Sequence, residues 1–141
     1  MVLELEKQLE TMVLACIDTA KAMLDEYGIV VPFGLRAYND SKDMKMNCPA
    51  EKDSTAGWEE QIETVVEELR RFVATENISA TMLVTSMQSG DESGVGLQIE
   101  TQASSVLFVY PYSHQNQEWV IEEPVETDQL FSSVYNNEVR R

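Results

Sequence analysis

The sequence is short of the residues that most often carry chemistry. It contains one histidine, His114, and two cysteines, Cys16 and Cys48, with no pair at CxxC spacing. Structural zinc sites need clusters of cysteine and histidine, so the sequence predicts no metal site of that kind. Two widely separated cysteines without a secretory signal favour a reducing compartment and free thiols.

Long hydrophobic runs are also missing. No apolar stretch reaches the ~18–20 residues that a membrane-spanning helix needs. The N-terminus carries Glu4, Glu6 and Glu10 beside Lys7, whereas a secretory signal has a basic start followed by an apolar stretch. These features predict a cytoplasmic protein that does not enter a membrane.

Basic residues are missing from the long stretch between Arg71 and Arg140. The 25 acids and 10 bases give a formal net charge of −15, and no lysine or arginine stands between Arg71 and Arg140. Nucleic acid and anionic membranes both require a basic surface, so neither is an expected partner. The acidity is either a device for solubility or a surface for a basic protein partner or for cations.

Motifs for catalysis or cofactor binding are not found either. The glycines of segment 90–96 enclose two acids, lack the lysine of a phosphate loop and lead into a strand, which is typical of a turn. His114 lies in a polar loop, and its spacing supports no pairing with a nucleophile such as Ser113 or Cys48. The sequence therefore predicts no catalytic, metal or cofactor residue and favours a protein that is not an enzyme.

What the sequence does contain is a clear succession of helices and strands. Apolar residues at three- and four-residue spacing predict helices over residues 3–27 and about 57–76. Between them, residues 29–47 are typical of a β-hairpin, whose first strand is interrupted by Pro32 and Gly34 and so is expected at an edge or with a bulge.

The second half reads as strands. Residues 78–87, 95–101 and 106–112 predict successive strands with short turns, and 119–121 adds a short one. Residues 127–135 are compatible with a short C-terminal helix. We expect a single α+β domain over residues 1–141, with one antiparallel sheet of about five strands and the two main helices on one face. The predicted order is helix, hairpin, helix and β-meander.

Two groups of residues stand out as candidate sites. Segment 118–128 combines an aromatic residue with acids, a pattern of protein contacts, although a surface loop with a short strand would look the same. This candidate interaction surface consists of Trp119, Glu122, Glu123, Glu126 and Asp128. The candidate ligand cleft, near segment 32–34, consists of Phe33, Tyr110, Tyr112 and His114.

Several short motifs together resemble a family of small bacterial proteins that has no established activity. They are Tyr27–Gly34, Leu69-Arg70, Ile78–Val84, Leu97–Glu100 and Val109–Tyr112, which include a Pro-Phe-Gly segment and a late Pro-Tyr strand end. Asn39-Asp40 replaces the glycine that family members often carry in the first hairpin turn. The resemblance implies no catalytic residue, cofactor or partner.

The leading functional hypothesis is a non-enzymatic interaction domain that binds a basic protein or a second copy of itself. It is based on the missing catalytic set and on the acidic stretch of residues 72–139, which has no lysine or arginine. The alternative is an enzyme or small-ligand-binding protein with its site near Pro32–Gly34, Tyr110–Tyr112 and His114.

Overall fold

Two helices and seven strands make up the part of the chain that the computed structural model describes, residues 2–51, 55–89, 91–128, 130, 131 and 133–135. In chain order they are α1 (Val2–Tyr27), β1 (Phe33–Tyr38), β2 (Met44–Asn47), a 3-10 turn (Pro49–Glu51), α2 (Trp58–Thr75), β3 (Ile78–Ser89), β4 (Glu92–Glu100), β5 (Ser105–Gln115), β6 (Glu118–Ile121) and β7 (Val125–Thr127). Within these residues, neither helix is long and apolar enough to cross a membrane.

All strands join one antiparallel sheet, so the predicted α+β class is confirmed. The strand order is β2-β1-β3-β4-β5-β6, and β7 pairs with β5 beside β6. The sheet has seven strands where about five were predicted. Strand β7, for which the sequence predicted no strand, has only three residues, all exposed. It therefore lacks the alternation of buried and exposed side chains that would have identified it.

The two helices lie on opposite faces of the sheet, and the prediction that they share one face is wrong. On β3, Met82 packs in the core under α1 with Met12 and Cys16. The next residue, Leu83, packs with Val65 and Leu69 of α2. Successive strand residues point to opposite faces, so each helix covers its own face.

The first strand of the hairpin is internal, not at an edge. β1 pairs with β2 on one side and with β3 on the other, and its register shift lies between Ala37 and Tyr38. Pro32 precedes the strand, where its missing N–H breaks no ladder. A Cβ at Gly34 would lie 3.0 Å from Val65 Cγ1 and 3.1 Å from Leu69 Cδ1. The glycine thus lets α2 approach β1 closely and does not mark a bulge.

The chain after β7 is not the predicted helix. Residues 128, 130, 131 and 133–135 are non-helical, while 129 and 132 lie outside the described residues. Residues 130, 131 and 133–135, which we call the C-terminal strap, are fixed to the sheet by two buried polar side chains. The N–H groups of Leu130 and Phe131 donate to Gln98 Oε1, and that of Val134 donates to Glu100. Side chains of β4 thus replace the carbonyls a helix would have used.

Cys16 is expected to resist alkylation for as long as the protein stays folded. Its side chain is 1% exposed, and burial raises the pKa of the thiol to about 12. The reactive thiolate is therefore almost absent at neutral pH. Iodoacetamide labelling followed by mass spectrometry should modify Cys16 only in denaturant. Labelling of Cys16 in native buffer as fast as in denaturant would contradict this placement.

Candidate functional site

A cleft of about 550 Å³ opens where the β3–β4 turn approaches the end of the β5–β6 hairpin. We call it the aromatic–acidic cleft, since its wall combines aromatic rings with carboxylates. Its lining residues are Gly28, Asp91, Glu92, Ser93, Pro111, Tyr112, Ser113, His114, Trp119 and Glu122. No lysine or arginine is among them.

A tight turn places the aromatic residues of this cleft. Asn116 and Gln117, the two residues between β5 and β6, have φ values of 50° and 68°. Two successive positive φ values are the signature of a type I′ turn, whose twist matches that of a β-hairpin. The turn sets the register so that His114 lies opposite Trp119 and Tyr112 opposite Ile121.

Three aromatic rings are packed together on this hairpin. The rings of His114 and Trp119 are 4.7 Å apart between centroids and inclined by 32°. The ring of Tyr112 meets Trp119 edge-on, at 5.7 Å and 72°. Such offset and edge-to-face contacts add about 0.5–1.5 kcal/mol per pair beyond the burial of apolar area. The indole is therefore held in a defined orientation.

Hydrogen bonds from neighbouring elements support the floor of the cleft. Tyr112 Oη lies 3.2 Å from Ser86 Oγ, which also accepts a hydrogen bond of 2.8 Å from the Val30 N–H. Ser86 N–H in turn donates to the Val30 carbonyl at 3.0 Å. Gly28 ends α1 in the left-handed region, with φ of 75°, and a Cβ there would lie 3.9 Å from Trp119. β3, β5, β6 and the end of α1 thus meet at one point.

The rim of the cleft is acidic. Asp91, Glu92 and Glu122 are exposed, and each contributes to the lining. The described residues contain no group of three or more His, Cys, Asp or Glu side chains that could hold a metal ion. Aromatic faces attract cations through their quadrupole, and nearby carboxylates add to that attraction. The arrangement suits a positively charged group with an apolar stem.

The structure brings parts of both predicted sites into this one cleft. Tyr112 and His114 come from the predicted ligand cleft, while Trp119 and Glu122 come from the predicted interaction surface. The two groups merge because β5 and β6 pair directly, as successive strands of the predicted meander do, although the sequence analysis treated the two sites separately.

Other predicted residues lie elsewhere. Phe33 is 1% exposed within the core under α1, and Tyr110 is half-buried against that same core. Glu123, Glu126 and Asp128 are exposed but do not line the cleft. Glu126 belongs to β7, opposite Phe108.

Sequence reasoning missed Asp91, Glu92 and Gly28 as parts of a site. Both acids lie in the segment interpreted as a polar turn, and Gly28 was recognised only as a helix cap. Their place in the wall of the cleft depends on where the β3–β4 turn lies in space, for which the sequence carries no signal.

Comparison with protein-family models, curated proteins and solved structures found no match to this chain. The resemblance to small bacterial proteins stays a prediction.

Proposed function

We propose that this chain is a protein-interaction domain that binds a basic segment of a partner protein in the aromatic–acidic cleft. The observation that carries the proposal is the packing of Trp119, Tyr112 and His114 beside three carboxylates, in a wall without lysine or arginine. A lysine or arginine side chain would place its stem against the rings and its charge at the rim.

Cation–π contact supports such binding. A lysine or arginine over a tryptophan face gains about 0.5–1 kcal/mol when exposed and about 2 kcal/mol when desolvated. Tryptophan and tyrosine are also enriched among the residues that dominate binding energy at protein interfaces. Trp119, half-buried and in contact with two other rings, is the expected anchor.

The charge distribution favours a basic partner over self-association through this face. Residues 72–139 contain ten acids and no lysine or arginine. Two copies brought together there would repel each other, whereas a basic segment would be steered in and bound faster at low salt. The binding therefore should weaken as salt is added.

A calorimetric titration tests the proposal with a defined probe, the peptide acetyl-Gly-Arg-Gly-Lys-Gly-amide. It should bind the wild-type domain at low salt, and binding should weaken at high salt. Trp119→Ala should weaken it about tenfold or more, the loss typical of an interface anchor. Glu122→Gln, at an exposed position, should weaken it by a smaller factor without loss of packing.

Val120→Ala is the matched control, because Val120 neighbours Trp119 on β6, is 36% exposed and does not line the cleft. Its affinity should equal that of wild type. Equal binding of the peptide acetyl-Gly-Glu-Gly-Glu-Gly-amide, or affinity insensitive to both salt and Glu122→Gln, would refute the proposal.

A small cationic ligand is the second candidate. The volume of about 550 Å³ lies within the roughly 300–1,000 Å³ of small-molecule sites, and the predicted ligand-cleft residues Tyr112 and His114 line it. Spermidine is a suitable probe. If spermidine binds more tightly than the basic peptide and both depend on Trp119, the small-ligand function is preferred.

A further inference from the structure

A second, smaller cleft of about 250 Å³ lies between the β1–β2 hairpin and α2. It shares no lining residue with the aromatic–acidic cleft, and the inference drawn from it does not depend on the function proposed above. Two arginines, Arg36 of β1 and Arg71 of α2, line this cleft together with Phe72. Such convergence is notable in a chain of net charge −15 with only ten bases.

Arg36 is held in a fixed orientation. Arg36 is 7% exposed, and its guanidinium carbon lies 3.5 Å from the centroid of the Phe72 ring. Its Nε donates to Tyr38 Oη at 3.0 Å and to Glu76 Oε1 at 3.3 Å. The Tyr38 hydroxyl also donates to Glu76, and this hydrogen bond lowers the pKa of that carboxyl. Glu76 therefore stays ionised at neutral pH and keeps the Arg36 fork in place.

The remaining donors of these two arginines are unused within the described part of the chain. Within the described residues, Nε makes the only hydrogen bonds of the Arg36 side chain, so its two terminal amino groups have no partner there. The Arg71 guanidinium forms no ion pair or hydrogen bond with a described residue, and it lies 5.6 Å from the Phe72 centroid. A planar fork with free amino groups matches the geometry of a carboxylate.

The charge and size of the cleft restrict the class of ligand that it can bind. Glu68 also lines it, with Oε1 accepting a hydrogen bond of 2.9 Å from Asn47, and Glu76 neutralises part of the Arg36 charge. The two arginines and the carboxylates of Glu68 and Glu76 already cancel in formal charge, so a monoanion meets less repulsion in the cleft than a dianionic phosphate does. Met46, Pro49 and Phe72 supply apolar contacts, and the volume of about 250 Å³ lies just below the roughly 300–1,000 Å³ of small-molecule sites, which favours a small ligand.

We propose that this cleft binds a monocarboxylate with a short apolar stem, its oxygens accepting hydrogen bonds from the terminal amino groups of Arg36 and from Arg71. The carboxylate belongs either to a free small acid or to the C-terminal end of a peptide. The two sources share the same chemistry at the arginines.

An NMR titration of the arginine side-chain N–H signals tests the site. Sodium butanoate at constant ionic strength should shift the signals of Arg36 and Arg71 saturably, while the neutral isostere butanamide should not. Acetyl-Gly-Val with a free carboxylate represents a peptide C-terminus, and its C-terminal amide should not bind. If acetyl-Gly-Val binds more tightly than butanoate, the source is a peptide end; if butanoate binds more tightly, the source is a free acid. Inorganic phosphate should bind more weakly than butanoate.

Arg71→Gln should weaken butanoate binding about tenfold or more, the loss typical of a charge-assisted hydrogen bond. Because Arg71 is exposed, the backbone spectrum should show an intact fold. Lys21→Gln removes the same charge from an exposed position on α1, across the sheet, and should leave the affinity unchanged. Equal shifts with butanamide, tighter binding of phosphate, equal losses in both variants, or no response to either carboxylate would overturn the proposal.

Discussion

Truncating either Met82 or Leu83 to alanine is expected to lower the free energy of unfolding by about 2–5 kcal/mol. The two residues are neighbours on β3 and are 0% and 2% exposed, respectively. Met82 packs under α1 and Leu83 packs under α2. Each substitution would remove buried methylene and methyl groups and leave a cavity. The loss of stability should therefore be large on both faces of the strand.

Urea denaturation of the two variants measures these losses. Val125→Ala on β7 is the control, because Val125 is 62% exposed and its truncation should change stability by no more than about 0.5 kcal/mol. If one β3 variant loses much stability while the other changes as little as Val125→Ala, only one face of the strand is buried. Both helices would then have to share that face.

Glu100→Ala is expected to lower the free energy of unfolding by roughly 2–3 kcal/mol and to release the C-terminal strap. Glu100 is 1% exposed and accepts from Val134 N–H with both oxygens at 3.1 Å and from Ser133 Oγ at 2.9 Å. Removing the carboxylate leaves the buried Val134 N–H without its acceptor, while the Ser133 hydroxyl keeps the Tyr135 carbonyl at 2.9 Å. Exchange of the Val134 amide hydrogen should accelerate together with the loss of stability.

Glu100→Gln distinguishes the effect of losing the carboxylate acceptor from the effect of losing side-chain volume on the free energy of unfolding. The amide keeps the shape of the side chain, and its NH₂ group can face the Ser133 hydroxyl, which accepts while donating to the Tyr135 carbonyl. The remaining oxygen still accepts from Gln98 Nε2 and the Val134 N–H, so Glu100→Gln should cost about 1 kcal/mol, less than Glu100→Ala. Glu92→Ala, at an exposed position of the same strand, should be nearly neutral. Wild-type exchange at Val134 in Glu100→Ala would show that the strap does not depend on Glu100.

Local patterns in the sequence predicted most of the elements. The apolar spacing over residues 3–27 and about 57–76 gave both helices, which the structure places at Val2–Tyr27 and Trp58–Thr75. The strands at 78–87, 95–101 and 106–112 were also found, each shorter than in the structure. Helical and strand periods are properties of neighbouring residues, so they can be read without knowledge of the fold.

The errors arose where contacts between distant segments decide the outcome. The run Met82–Val84 is apolar at every position, which signals burial on both faces of a strand, but it does not say which helix covers which face. The strap residues Phe131 and Val134 have helix-like spacing, yet Gln98 and Glu100 of β4 bind their N–H groups. Such long-range hydrogen bonds override local propensity.

The candidate site was likewise predicted in part from local sequence and completed only by contacts between distant segments. Aromatic residues and acids of segment 118–128 were recognised from the sequence, and so were Tyr112 and His114. That they form one wall follows from the type I′ turn at Asn116 and Gln117, which pairs His114 with Trp119. The acids of the β3–β4 turn join this wall only in three dimensions.

By itself, the sequence determined the type and order of most elements and the confinement of nearly all bases to the first half, because these are properties of composition and local period. Only the tertiary structure decided that the helices cover opposite faces. It also decided that Arg36 and Arg71 share a cleft, and that rings and carboxylates from separate segments meet in another. The physical reason is that strand pairing and helix docking join residues far apart in sequence, and no local pattern encodes which distant segments will touch.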